Sequence, residues 1–181
     1  MHSSRSFAAI PILSRSPLAR IFSCACFHFN PLNCLSTICF QFRKPLNSFL
    51  KHTARQHAER GISQTFVLVE GDAPDPKPVL GFFSLNICQI KSETPPESEA
   101  KKLPRNISGI KLGRLAVAGE IQRQGIGKSL LVAAMEKVLE IHETAGGIGL
   151  FVDAKDSQTM GYFVHFGFVP LPSNELQLFM P

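Results

Sequence analysis

Residues Lys111 to Leu131 read K-L-G-R-L-A-V-A-G-E-I-Q-R-Q-G-I-G-K-S-L-L. No other stretch limits the fold so strongly. Ile110–Val117 carries apolar and β-branched residues at strand density. Gln122 to Lys128 is a polar, glycine-bearing turn, and Gly127 to Thr144 reads as a long helix. Leu130, Leu131, Ala134, Val138 and Ile141 recur at helical spacing as its apolar stripe. Gly146-Gly147 breaks that helix, and Ile148–Val152 (I-G-L-F-V) reads as a buried strand ending at Asp153. Strand, helix and strand imply a right-handed parallel crossover. A strand that enters a helix through such a loop suits an anion. The free N–H groups of the loop and first turn converge there, and the helix dipole adds partial positive charge. Arg123 and Lys128 add full charges.

The rest of the chain fits around this unit. Pro45 to Gly61 reads as a helix with Leu46, Phe49, Leu50, Ala54 and His57 on one face, Pro at its start and Gly at its end. His57 is given no catalytic role. Thr65–Glu70 and Val79–Ile90 read as a hairpin across the turn-rich Gly71 to Pro78. Cys88, inside it, reads as a small core residue. Ser157–His165 is a short helix with Asp156 or Ser157 as N-cap. Phe166 to Pro170 leads into another strand, and Leu176–Met180 is the last. From Pro45 the order is α-β-β-β-α-β-α-β-β. The expected fold class is α/β, a mixed sheet flanked by helices.

Length, charge and cysteine usage set bounds. A chain of 181 residues suffices for one domain with a real core. No apolar run reaches the eighteen or so residues of a membrane span. The net charge of +5 is unevenly spread. Residues 1–44 hold Arg5, Arg15, Arg20, Arg43 and Lys44 and no acid; residues 45–181 hold fourteen basic and fourteen acidic residues. Nucleic-acid binding therefore needs a local patch rather than a global basic charge. Lys101, Lys102, Arg105, Lys111 and Arg114 supply one, with no acid between Lys101 and Arg114. It reads either as a solvated loop or as a polyanion contact beside the central strand. Cys24, Cys26, Cys34 and Cys39 precede residue 40 and Cys88 stands alone after it, so a reducing cytoplasm is expected for the domain. Residues 1–44 are expected to be an unstructured leader or extension, with an organelle transit peptide as the competing reading. Cys24, Cys26, His28, Cys34 and Cys39 match no familiar zinc spacing, and no metal is expected.

Two phosphate motifs fail on this loop. G-x-x-x-x-G-K-[ST] needs glycine where Gln122 stands, and G-x-G-x-x-G needs it where Leu130 stands. Gln122-Arg123-Gln124-Gly125-Ile126-Gly127 instead resembles the Q/R-x-x-G-x-G/A signature of the GNAT superfamily of acyl-CoA-dependent N-acetyltransferases, and residues 45–181 follow its layout. G-R-L-A-V (Gly113 to Val117), V-D-A-K-D (Val152 to Asp156), F-G-F-V-P-L-P (Phe166 to Pro172), the L-x-L-F-M-P ending and the opening from Leu46 to Ser63 resemble one branch. Its members are toxins of bacterial toxin–antitoxin pairs that acetylate the α-amine of aminoacyl-tRNA.

The resemblance implies acetyl-CoA as co-substrate, aminoacyl-tRNA as acceptor and a ribbon-helix-helix antitoxin as partner. It implies no membrane, and a homodimer is compatible with it. The pyrophosphate would rest on Gln122, Arg123, Gln124, Gly125, Ile126, Gly127 and Lys128, chiefly on the N–H groups from Gln124 onward. The pantetheine arm would pair with Leu115, Ala116 and Val117, and an N–H near Val117 would polarise the thioester carbonyl where this strand splays from Ile148–Val152. The basic run Lys101, Lys102, Arg105, Lys111 and Arg114 would meet tRNA. Members of the branch read F-Y-x-x-F-G-F, with that Tyr as general acid. This chain reads Tyr162-Phe163-Val164-His165-Phe166-Gly167-Phe168. Phe163 takes the acid's place, and Tyr162 lies about 100° away around a helix. Either Tyr162 reaches in through a local shift or the acid is missing. Ala118 replaces the usual acid after R-L-A-V, and His165 is expected at the surface. Two other functions stay open: a GNAT enzyme for a small-molecule or protein amine, and a catalytically weakened regulator that binds acyl-CoA or an antitoxin.

Overall fold

The computed structural model describes residues 19–23, 42–70, 78–91 and 106–181. The elements are β1 (Ala19–Ser23), a helical run α1, β2 (Gln64–Glu70), β3 (Val79–Lys91), β4 (Asn106–Val117), α2 (Ile126–Ala145), β5 (Ile148–Asp153), α3 (Ser157–His165), β6 (Val169–Leu171) and β7 (Asn174–Met180). The run α1 joins an α-helix (Lys44–Ser48), a π-helical turn (Phe49–Thr53) and a second α-helix (Ala54–Glu59). The strands form one sheet in the order β1-β2-β3-β4-β5-β7-β6. Only β4 and β5 are parallel, and α2 connects them. The expected crossover is therefore present at the centre of a mixed α/β sheet.

Alternation along the strands sends side chains to two cores. On one face, α2 and α3 press Leu130, Leu131, Ala134, Val138 and Phe163 against Phe83, Leu85, Ile110 and Leu112. On the other, α1 presses Phe49, Leu50 and Ala54 against Val69, Phe82 and Ala116. The fully buried Phe82 and Phe83 are consecutive residues that feed opposite cores. His57 sits half-buried at the rim of α1, its Nδ1 3.2 Å from Ser63 Oγ. Gly61 ends the run with φ +66°. Ile141 lies at the margin of the α2 stripe, partly buried.

The N-terminal expectation needs correction. Ala19–Ser23 is the outermost strand, antiparallel to β2 from Ala19↔Glu70 to Ser23↔Phe66. It covers an edge whose backbone groups would otherwise lack strand partners. Phe42 is also buried, its ring edge-on to Phe82 at 5.4 Å. The packed unit thus begins before Pro45. Five residues are too few for a period to declare a strand. The cysteine and histidine set from Cys24 to Cys39 lies outside the described residues. Among the described residues, no helix is long and apolar enough to cross a membrane.

Candidate functional site

The chemistry-bearing surface begins where β4 and β5 part. β3 pairs with β4 along its whole length, from Gly81↔Val117 to Lys91↔Asn106. β5 pairs with β4 only from Gly109↔Ile148 to Leu112↔Val152. Beyond Leu112, then, the second edge of β4 is unpaired by β5. The register also slips there: Leu85 faces Leu112 while Ser84 faces Arg114, leaving Gly113 as a bulge. Ala118 N donates to Leu80 O at 2.9 Å. By antiparallel alternation, Ala116 then bonds toward β3, while Leu115 and Val117 turn N–H and C=O to the open side. Gln122 Nε2 donates to Val117 O at 3.1 Å, tying the following loop to that edge.

The loop makes a 3-10 turn at Gly119–Ile121 and then turns sharply. Arg123 has φ +64° and Gly125 φ +83°, and Arg123 is the one non-glycine residue with positive φ among the described residues. Gly125 is the N-cap of α2, and no side chain caps it. The helix starts at Ile126, one residue before the sequence expectation. Its ladder opens with Ser129 N donating to Gly125 O at 3.1 Å. The N–H groups of Ile126, Gly127 and Lys128 precede that bond and remain for an anion. Gln122, Arg123, Gln124 and Lys128 are exposed around them.

Tyr162 closes the arrangement from α3. Asp156 fixes the start of that helix, its Oδ1 accepting from Thr159 N at 2.7 Å and from Thr159 Oγ1 at 2.6 Å. Those two bonds, the hydroxyl's first, hold the Asp156 carboxyl below its ordinary range. The helix phase then turns Phe163 inward. It is 4% exposed and meets Phe168 edge-on at 5.4 Å. Tyr162 turns outward, its ring flanked by Phe163 and Phe166. A Cβ placed on Gly127 would lie 3.5 Å from Tyr162 Oη and 3.7 Å from Val117 Cγ2. The phenol, the first turn of α2 and the open edge of β4 therefore meet at one point. Partial burial pushes the Tyr162 phenol up, so it stays protonated over an even wider range than a free tyrosine.

Tyr162 reaches the loop through ordinary helix phase, with no local distortion, and Phe163 lies in the core rather than at this point. Ala118 is likewise a core residue, 1% exposed under α1. Leu115 and Val117 are half-buried on the α2 face, and Ala116 is buried on the other. Lys101, Lys102 and Arg105 lie outside the described residues. Lys111 is ion-paired with Asp153, which also accepts from Gln177 Nε2 at 3.3 Å. Arg114 lies over the Phe49 ring at 3.7 Å, and burial lowers its pKa. The two described members of the basic run are therefore engaged with the fold, and only Arg114 lacks a carboxylate partner among the described residues. Cys88 is half-buried, and burial is the main reason its thiol is pushed up, as suits a packing residue. His165 is exposed. Sequence reasoning did not foresee the Gln122–Val117 tie or the Gly127–Tyr162 proximity. The single tyrosine of the chain was the one available signal for the second.

No family model matches the chain. Known proteins do. It is 26% identical over 135 residues to a tRNA-acetylating toxin of Mycobacterium tuberculosis, covering 75% of this chain and 78% of that protein. The solved structure of AtaT complexed with acetyl-methionyl-tRNAfMet is 31% identical, with a TM-score of 0.71, and the match covers 77% of this chain and 83% of AtaT. A tyrosine-to-phenylalanine mutant of KacT superposes with a TM-score of 0.77 at 28% identity, over 91% of this chain and 95% of KacT. Further AtaT structures that match hold acetyl-CoA or the C-terminus of the antitoxin AtaR.

Proposed function

This chain belongs to the GNAT-fold family of tRNA-acetylating toxins, and we propose that it moves an acetyl group from acetyl-CoA to the α-amine of aminoacyl-tRNA. The observation that carries this reading is the meeting of Tyr162 Oη, Gly127 and the open Leu115–Val117 edge beside an uncapped helix start. Acetyl-CoA supplies an activated acyl carbon and a thiolate leaving group. The N–H groups from Gln124 to Lys128 hold its pyrophosphate, with Arg123 and Lys128 adding charge. Leu115 and Val117 offer their outward N–H and C=O to the pantetheine amides as an added strand. A backbone N–H of this edge near Val117, toward the splay from β5, steadies the carbonyl oxygen as it gains charge. The neutral amine forms the new C–N bond as the C–S bond breaks. Tyr162 gives its proton to the departing sulfur, and the proton lost by the amine nitrogen returns the phenol to its neutral form. Residues 42–181 form the catalytic unit, working in the cytoplasm, with the preceding residues an extension that contributes β1. Arg114, which lacks a carboxylate partner among the described residues, is the described member of the basic run left to meet the tRNA backbone. A ribbon-helix-helix antitoxin is the proposed regulatory partner.

The test is transfer of labelled acetyl from acetyl-CoA to total charged tRNA, with polyamines as control. Label in the tRNA, lost on ester hydrolysis, is the expected result; label in the polyamines alone overturns the reading. The pH profile is a second check. An α-amine titrates at about 7.7–8.0. Only its neutral form attacks, so kcat/KM rises with pH up to that value and then levels. The raised Tyr162 pKa places the loss of the acid above the ordinary tyrosine range. Initial rates should therefore show no descending limb below about pH 10. A fall centred near pH 8 would remove Tyr162 from the acid's role.

A further inference from the structure

On the face of the sheet that α1 covers, β3 breaks its apolar alternation with Ser84 and Asn86, which point the same way as Phe82. Ser84 lies opposite Arg114 and Asn86 opposite Lys111, with the bulged Gly113 between them on β4. A Cβ on Gly113 would come 2.9 Å from Asn86 Oδ1 and 3.5 Å from Ser84 Oγ. The missing side chain thus leaves a notch against two oxygens. Ser84 is 1% exposed, and its hydroxyl has no hydrogen-bond partner among the described residues. Asn86 uses only its Nδ2, in a long 3.5 Å bond to Ile87 O, so its Oδ1 also stays unused among the described residues. A buried hydroxyl left without a partner in a native fold calls for an explanation. Among the described residues, no carboxylate enters the notch from the neighbouring strands: Asp153 is tied to Lys111. Gly113 is also the first residue of β4 past the end of the β4–β5 ladder. The notch therefore opens where β4 splays from β5, the region that the resemblance implies for the thioester.

We propose that this notch receives the acceptor's primary amine, with Asn86 Oδ1 and Ser84 Oγ each taking one N–H. A neutral amine has two N–H bonds and one lone pair. Holding both N–H groups aims the lone pair at the acyl carbon, and positioning of this kind is a large part of what an acyl transfer needs. Acceptor oxygens without a carboxylate suit an amine that is already neutral near pH 8, because they do not favour the ammonium form. A secondary amine, with one N–H, satisfies only one of the two oxygens. The inference rests on the acetyl-transfer reading above.

The test compares wild type with Asn86→Ala, Gly113→Ala and Asn86→Asp, using methionyl-tRNA as acceptor. Acetyl-CoA affinity is measured by calorimetry as a check on folding and on the other half of the site. Asn86→Ala should raise KM for the tRNA about tenfold, the scale of one lost hydrogen bond to a bound group. Gly113→Ala should do the same by pushing the amide aside. Asn86→Asp, which keeps an oxygen but adds a carboxylate that favours the ammonium form, should also slow transfer and should recover toward the wild-type rate as pH rises. Acetyl-CoA affinity should stay within about twofold throughout. An unchanged KM in both alanine variants overturns the notch, as does loss of acetyl-CoA binding in step with KM, which would mark a packing role. If wild type binds acetyl-CoA yet acetylates no charged tRNA, the functional reading itself falls.

Discussion

Tyr162→Phe should lower kcat for acetyl transfer by roughly 10²–10⁴-fold, the usual worth of a positioned general acid. Acetyl-CoA affinity should not change, because the cradle from Gln124 to Lys128 binds through backbone groups that the phenol does not support. The converse variant separates this account from one based on the family motif. If the residue at Phe163 were the natural place of the acid, Phe163→Tyr would restore or raise activity. The structure places Phe163 in the core, 4% exposed and ring-to-ring with Phe168. A hydroxyl there has no partner in view and should cost about 1–3 kcal/mol of stability. The expected outcome for Phe163→Tyr is therefore a lower melting temperature with no gain in kcat. A Tyr162→Phe enzyme with wild-type turnover would sink the assignment, whatever Phe163→Tyr did.

The swapped aromatic order shows where sequence reasoning stops. The type and order of the elements from Pro45 onward were legible because each carries a period: alternation in β3, three-and-four spacing in α2, and glycines at Gly61 and Gly146-Gly147. The anion loop was legible because backbone N–H groups bind there whatever the side chains, so a glycine-bearing turn before a helix suffices. Helix phase at Tyr162-Phe163 was not legible. Both residues are aromatic and adjacent, and which one turns inward depends on the contact with Phe168 across the chain. β1 was hidden for a related reason, since a short edge strand is specified by β2, its partner, rather than by its own pattern. The basic run looked uniform in sequence, but Lys111 has a carboxylate on β5 and Arg114 a ring on α1. Neither partner is near in sequence. The notch at Gly113 depends on a bulge, which is a property of two strands in register rather than of one.

A second bulge supports the largest expected effect on stability. β5 slips against β4 between Ile148 and Leu150, leaving Gly149 as the extra residue with φ +38°. A Cβ there would run into the carbonyl oxygen of Met180 and come 2.5 Å from Phe179 Cε2. Both obstacles belong to β7, which pairs with β5 from Leu150↔Met180 to Asp153↔Gln177. The backbone carbonyl cannot swing away as a side-chain tip can. Gly149→Ala therefore combines left-handed strain with overpacking, for a loss of about 3 kcal/mol. For a domain of this size that lowers the melting temperature by about 6–12 °C. The glycine at 161 gives the control. It lies inside α3 with nothing within 4 Å of an added methyl group and no positive φ, so Gly161→Ala should leave stability unchanged or raise it. The two variants add the same atom, and only the one at 149 meets another strand. β5 also sets how far β4 is paired before its edge opens. If β7 is forced from β5, the open edge at Leu115–Val117 should lose its shape, and acetyl-CoA affinity should fall together with stability. A Gly149→Ala protein that melts with wild type would mean that the β5–β7 approach is looser than described. The separation of β4 from β5 would then need another cause.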